Sequence, residues 1–328
     1  MKQFDTHRIF NINNADEFDT LALDVFRFQY ENNKVYQQFC DHLKKTPQNV
    51  SDPLQIPFLP ISFFKSYKVL STQKEARTIF TSSGTTQSIT SKHFVPDIKI
   101  YEESFLKAFK TFYGSPEELC ILALLPSYLE REGSSLIYMV NNLIDKSKHA
   151  DSGFYLHNLE ELHQKLQELD RNRTKTLLIG VSFALLDLAE QFPMHLKNTI
   201  VMETGGMKGR RKELIREELH LILKNGLGVN KIHSEYGMTE LLSQGYSKGD
   251  GIFETPSWMK IITRDTEDPL TIQSNGKTGG INVIDLANIY SCSFIATQDL
   301  GKTYPNGTFE VLGRFDDSDI RGCNLMVL

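Results

Sequence analysis

Between residues 119 and 234 the chain alternates short strand-like runs with longer helix-patterned stretches, an order that few folds accommodate. The runs stand at Cys120–Leu125, Phe154–Leu156, Thr176–Val181, Thr199–Glu203 and Lys231–Ser234. Between them lie Ser134–Ile144 and a helical face of Leu159, Leu162, Leu166 and Leu169 behind the candidate cap Asn158. Ser182 caps a further helix that stops at Pro193, and Gly205-Gly206 turns into another carrying Leu214, Ile215, Leu219 and Ile222 until Gly226 ends it. At least five such alternations predict an α/β fold: an open, mostly parallel sheet covered by helices on both faces. Ligands are then expected at the carboxyl ends of the strands.

On either side the texture changes. Phe18, Leu21, Val25 and Phe28, followed by Val35 and Phe39, form a helical lead-in that ends in a proline-interrupted loop from Pro47 to Pro60. After Gln244 come short strand-like runs at Met259–Thr263, Gly280–Leu286, Ser293–Thr297 and Thr308–Leu312, parted by turns at Asn275-Gly276, Gly279-Gly280 and Asn306-Gly307. The expected division is therefore residues 1–245 for the lead-in and α/β core, and 246–328 for a smaller β-rich subdomain. With 40% hydrophobic residues, 328 residues suffice to bury such a core.

Composition excludes several functional classes. A net charge of −5 supplies no basic field for nucleic acid, and the run Lys208-Gly209-Arg210-Arg211-Lys212, soon followed by Glu213, Glu217 and Glu218, reads as a helix start with a solvated face. The amino terminus lacks the apolar stretch of a signal peptide and the apolar runs are too short or interrupted to span a bilayer, so a soluble, cytoplasmic protein without a membrane span is expected. Cys40, Cys120, Cys292 and Cys323 lack metal-ligand spacing, and the first three read as small apolar fillers.

Two segments carry chemistry. Thr81-Ser82-Ser83-Gly84-Thr85-Thr86 is a hydroxyl-rich glycine loop whose N–H groups and hydroxyls can wrap a polyphosphate. Tyr236-Gly237-Met238-Thr239-Glu240 sets an aromatic face, a glycine, a hydroxyl and a carboxylate in succession. Those groups offer a purine a stacking surface, permit close backbone approach, bond a phosphate and give Mg²⁺ an oxygen ligand. Gly205-Gly206 fits a structural turn and a ligand contact equally well. His233 and His93 read as packed or hydrogen-bonded histidines rather than catalysts.

In this order, Thr81–Thr86, Tyr236–Glu240, Gln298-Asp299-Leu300-Gly301 and Gly313-Arg314-Phe315-Asp316-Asp317 resemble the phosphate, adenine/Mg²⁺, ribose and hinge motifs of the adenylate-forming superfamily, which includes acyl-CoA synthetases. Four further stretches resemble the acyl-protein synthetases of the LuxE type. They are Ser83-Gly84-Thr85-Thr86 through Ser91-Lys92-His93, Leu125-Pro126-Ser127-Tyr128-Leu129-Glu130-Arg131, Thr204-Gly205-Gly206-Met207-Lys208 and Arg321-Gly322-Cys323. The resemblance runs from about Pro57 to the end.

That resemblance implies ATP and Mg²⁺ as cofactors, a fatty or other carboxylic acid as substrate, and acyl-AMP as the product of a first step. Ser82, Ser83, Gly84, Thr85 and Thr86 would hold the β- and γ-phosphates, and Glu240 the Mg²⁺. Thr239 would reach the α-phosphate or the substrate carboxylate. Tyr236 and Gly237 would meet the adenine, with Gly205 and Gly206 opposite. Asp299 would accept hydrogen bonds from the ribose hydroxyls and Arg314 would bind ribose or phosphate oxygens. Acyl-CoA synthetases continue past the hinge into a mobile lid carrying a lysine, and the sequence ending at Leu328 implies that this lid is absent.

In the acyl-protein synthetases a cysteine near the carboxyl terminus takes the acyl group as a thioester and passes it to a reductase partner, and Cys323 matches that placement. Arg321 and Arg314 favour its thiolate, while Asp316, Asp317 and Asp319 oppose it. The alternative for Cys323 is a buried cysteine in a terminal strand. Val181, Phe183, Ala184, Leu185 and Leu186 fit an acyl pocket and a packed core equally well. Two other functions remain open on the sequence: a ligase that passes the acyl group directly to CoA or a carrier, and a non-catalytic module that binds nucleotide or acyl-AMP.

Overall fold

The computed structural model describes residues 4–82, 90–125, 133–156, 158–205 and 214–315. In chain order the elements are α1 (Ala15–Asn32), α2 (Lys34–His42), β1 (Leu59–Pro60), α3 (Phe63–Ser66), β2 (Thr78–Thr81), β3 (Lys92–Val95) and α4 (Ile98–Tyr113). The alternating region follows as β4 (Cys120–Leu124), α5 (Ser135–Ser147), β5 (Gly153–Tyr155), α6 (Leu159–Arg171), β6 (Thr176–Gly180), α7 (Ser182–Gln191), β7 (Thr199–Glu203), α8 (Arg216–Leu227) and β8 (His233–Tyr236). Strands then dominate: β9 (Gly245–Ser247), β10 (Ile252–Glu254), β11 (Met259–Arg264), β12 (Thr278–Asp285), β13 (Phe294–Thr303) and β14 (Phe309–Arg314).

These elements form two compact units. The α/β unit comprises Ile79–Thr86 and Ile98–Glu254. Its five parallel strands lie in the order β5-β4-β6-β7-β8, and antiparallel β9 and β10 extend them. Every residue of β4 and β6 is buried, as expected of parallel strands covered on both faces. The helices bury one stripe each; in α6 this is Leu162, Leu166 and Leu169, while Glu160 and Glu168 stay exposed. Val181, Ala184, Leu185 and Leu186 are also buried. The chain lays β5 on one side of β4 and β6 on the other, the reversal of strand order beside which open α/β sheets bind ligands.

Two helix ends differ from the sequence expectation. Helix α8 begins at Arg216, because Ile215 is extended and 69% exposed at the N-cap, and it runs through Gly226 to a left-handed cap at Gly228 (φ +64°). Helix α7 starts at Ser182, whose hydroxyl makes no cap and turns elsewhere.

The β-rich unit comprises Met1–Thr78, Gln87–Asp97 and Thr255–Leu328. Strands β11-β12-β13-β14 form an antiparallel meander and β1 lies parallel to β13, pairing Leu59 with Ile295. The expected boundary at residue 245 grouped the amino-terminal helices with the α/β core; they pack instead on this meander. Phe294 of β13 meets Phe26 of α1 at 6.3 Å and stacks on Tyr36 of α2 at 6.1 Å. Beneath them the buried Gln29 amide donates to the carbonyls of Asn288 and Ile289 and accepts from the Ser293 N–H, while Asn33 donates to the Ser291 carbonyl. These bonds satisfy the backbone of an irregular buried segment that no ladder can reach.

Asn275-Gly276 and Asn306-Gly307 make the expected turns, with both glycines at positive φ. Gly279-Gly280 does not; it lies inside β12, where a Cβ at Gly280 would stand 2.7 Å from the Arg264 guanidinium carbon. Cys40, Cys120 and Cys292 are buried, and burial pushes the Cys40 thiol up to about 12 and that of Cys120 to about 11. Among the described residues no helix is long and apolar enough to cross a membrane.

Candidate active site

At the carboxyl end of β7 the chain reverses through Gly205, which adopts φ +70°, a conformation that disfavours a side chain. Both of its backbone groups are engaged: its N–H donates to Glu203 Oε2 at 2.7 Å, and its carbonyl accepts from the Ser182 N–H at 2.9 Å. Glu203 is buried yet charged. The Ser182 hydroxyl donates to Oε2 at 3.3 Å, while His220 Nε2 and Arg216 Nε stand 3.7 Å and 4.0 Å from Oε1. Burial alone would raise this carboxyl; hydrogen bonds from His220, Ser234 and Gly205 together with the Arg216 charge outweigh it and bring it down to about 2. His220 also lies 3.5 Å from the hydroxyl of Ser234, two residues before Tyr236.

Next to β7, strand β8 ends at Tyr236, whose ring is buried against Phe253 at 6.2 Å in an edge-on contact. The Arg216 guanidinium sits 4.9 Å from the same Phe253 ring. At Gly237 the backbone passes close to Glu235: a Cβ there would fall 2.3 Å from Glu235 Oε1, and that carboxylate would have to shift. The following turn, closed by the Leu241 N–H donating to the Met238 carbonyl, carries a part-exposed Thr239 and a buried Glu240. The elements at the carboxyl ends of β7 and β8 thus hold five residues that the sequence singles out, Gly205, Tyr236, Gly237, Thr239 and Glu240, within the α/β unit. Ser82 follows β2 in the same unit, where Thr81 N–H bonds the Gly133 carbonyl at 2.8 Å. Ser83, Gly84, Thr85, Thr86, Gly206 and Cys323 lie outside the described residues.

Glu235 titrates unusually. Burial, and after it the charge of Glu203, push its carboxyl up to about 8. The folded chain therefore keeps a proton that the unfolded chain releases near 4.5, so this contribution to stability is full below 4.5 and is lost as pH rises to about 8. His233 is held down at about 4 by burial and by Lys248 and Lys231, and it affects stability only below its ordinary 6.5. Thermal melts between pH 6.5 and 8 should accordingly show a falling Tm in wild type and a flatter profile in Glu235→Gln. Equal slopes would exclude a protonated Glu235.

In the β-rich unit, Asp299 and Arg314 are cross-strand partners of β13 and β14, joined by Arg314 Nε to Asp299 Oδ1 at 3.1 Å. Asp299 is buried and Arg314 largely exposed, so the pair presents its charge at a surface. The stretch Gln298–Gly301 runs within β13 rather than in a turn. Behind it the buried Arg264 donates to the carbonyls of Ile281 and Thr297 and to Asn282 Oδ1, at 2.7, 2.6 and 2.8 Å. The Thr297 hydroxyl in turn accepts from the Asp299 N–H at 3.1 Å. Sequence reasoning missed Glu203, His220 and Arg264. The one signal for Glu203 was a carboxylate closing an apolar strand immediately before Thr204-Gly205. His233 and His93 are packed histidines as expected, bonded to Tyr113 and Asn288.

A family model for the acyl-protein synthetase LuxE matches residues 10–126, beginning well before Pro57. Over 66 residues, 20% of this chain and 56% of the relative, the protein is 38% identical to the long-chain-fatty-acid–luciferin-component ligase of Photorhabdus luminescens. The match thus spans little more than half of that curated relative. Among solved structures, ATP-bound MatB from Rhodopseudomonas palustris aligns with a TM-score of 0.53 at 17% identity, over 72% of this chain and 47% of that one. An open conformation of 2-hydroxyisobutyryl-CoA ligase in complex with 2-HIB-AMP and CoA aligns with a TM-score of 0.63 at 11% identity, over 92% of this chain and 70% of that one. At these identities the likeness is one of fold, and it agrees with the mixed α/β architecture read from the sequence. Residues 10–126 of the chain are thus similar to the LuxE acyl-protein synthetase family, and the fold is similar to that of MatB and 2-hydroxyisobutyryl-CoA ligase.

Proposed function

We propose that the protein activates a fatty or other carboxylic acid with ATP and then carries the acyl group on Cys323. In the first step a carboxylate oxygen attacks the α-phosphorus, the bond to the β-phosphate oxygen breaks, and pyrophosphate leaves. In the second, the Cys323 thiolate attacks the carbonyl carbon of acyl-AMP and AMP leaves, giving a thioester. The observation that carries the reading is the convergence of the Gly205 turn and the Thr239-Glu240 turn at adjacent strand ends in a chain whose amino-terminal third matches LuxE.

The first step brings anions together, so its barrier falls where fixed charges and donors meet the transferring group. Ser82, Ser83, Gly84, Thr85 and Thr86 are assigned to the β- and γ-phosphates, and Thr239 to the α-phosphate or the acid. Glu240 is a suitable ligand for Mg²⁺, which is commonly held by one or two carboxylates with the substrate's phosphates and water filling its remaining positions. Bound Mg²⁺ would neutralise charge on the phosphates. Tyr236, Gly237, Gly205 and Gly206 are assigned to the adenine, and Asp299 and Arg314 to ribose and phosphate oxygens. The thioester calls for an acceptor, and a protein such as an acyl reductase suits it.

Acid-dependent ATP–pyrophosphate exchange tests the proposal, with acids from acetate to tetradecanoate and aromatic acids beside them. Exchange with the longer chains is the expected result. No exchange with any acid would leave a nucleotide-binding module as the better account of the fold.

A further inference from the structure

On the reading of this chain as an ATP-using enzyme with its adenine against Gly205, we propose that Glu203 is a positioning residue that fixes the Gly205 turn and bars phosphate from its N–H. Glycine turns after a strand usually bind phosphate through free N–H groups. Here the Gly205 N–H is already held by Glu203 at 2.7 Å, and the carbonyl by the Ser182 N–H. A phosphate approaching this N–H would compete with an ionised carboxylate and be repelled by it.

Among the described residues, a Cβ built at Gly205 meets no atom within 4 Å. With its N–H and carbonyl both bonded, Gly205 itself offers a ligand its CH₂, which suits the face of a neutral aromatic ring. Glu203 cannot readily swing away. It is 4% exposed and is held from three elements, by Ser182 of α7, by Arg216 and His220 of α8, and through His220 by Ser234 of β8. The same carboxylate therefore links the glycine turn to the strand that ends in Tyr236.

The test compares binding of ATP, AMP and magnesium pyrophosphate by calorimetry in wild type, Glu203→Gln and Ser182→Ala. ATP and AMP carry the purine; pyrophosphate does not. Removing the charge should weaken ATP and AMP by about tenfold, the scale of one hydrogen bond to a charged group, and leave pyrophosphate as tight as in wild type or tighter, since the repulsion that bars it is gone. Ser182→Ala keeps the carboxylate and removes one of its donors, so it should weaken the two nucleotides by about threefold, and it carries the test if Glu203→Gln does not fold. Equal losses for all three ligands, or unchanged nucleotide binding in both variants, would overturn the role of Glu203 while leaving the ATP reading intact. A wild-type protein that binds neither ATP nor AMP would overturn both.

Discussion

Replacing Glu240 with alanine is expected to lower acid-dependent ATP–pyrophosphate exchange by about 10²–10³-fold, the scale on which removal of one preorganised charge-stabilising group acts. The residue is buried in the turn after β8, so its carboxylate would meet a bound cation in a setting where solvent screens it poorly. Glu240→Gln separates charge from shape. An amide fills the same volume but is a poor ligand for Mg²⁺, and its exchange should rise with added Mg²⁺ more steeply than that of wild type. Melting curves of both variants guard against the trivial explanation, because a loss of fold would lower Tm along with activity. Alanine at 240 with exchange within about twofold of wild type would remove Glu240 from the chemistry and return it to the packing of the turn.

The parallel core is legible in the sequence because its strands are buried on both faces and so appear as continuous apolar runs, while its helices show one stripe of leucines each. Tyr236–Glu240 is legible for a related reason: close approach and a buried carboxylate restrict residue choice within five consecutive positions. What local pattern does not carry is partnership between distant segments. Phe26, Gln29 and Asn33 look like any amphipathic helix; only contact with Asn288, Ser291, Ser293 and Phe294 shows that they complete the β-rich unit.

Glu203 is hidden in the same way. Read along the chain, it is a polar residue at the solvent end of a strand. Its charge survives burial because Arg216, His220 and Ser182 come from other elements. Gly279-Gly280 misleads by composition: two glycines suggest a turn, yet the space they leave is filled by the Arg264 backbone carbonyl at Gly279 and by the Arg264 side chain at Gly280. The likeness to MatB and to 2-hydroxyisobutyryl-CoA ligase at 17% and 11% identity follows from the same division, since layers of apolar runs specify a fold with little dependence on residue identity.

Cys323→Ser is expected to abolish a hydroxylamine-sensitive acyl adduct and to leave ATP–pyrophosphate exchange unchanged. Exchange depends only on formation and reversal of acyl-AMP, in which the thiol takes no part. Adduct formation needs a thiolate, and an unperturbed thiol at neutral pH is about 3% ionised, whereas a serine hydroxyl is not ionised at all. The other cysteines cannot substitute. Cys40, Cys120 and Cys292 are each fully buried, and burial raises all three thiols, to about 12 for Cys40 and about 11 for Cys120. Incubation with ATP and a radiolabelled acid, followed by neutral hydroxylamine, separates thioester from more stable oxygen esters. Label that persists in the variant and is released by hydroxylamine would place the acyl group on another thiol. A wild-type protein that exchanges pyrophosphate but never acquires label passes acyl-AMP straight to an external acceptor, and Cys323→Ser would then leave product formation as it was.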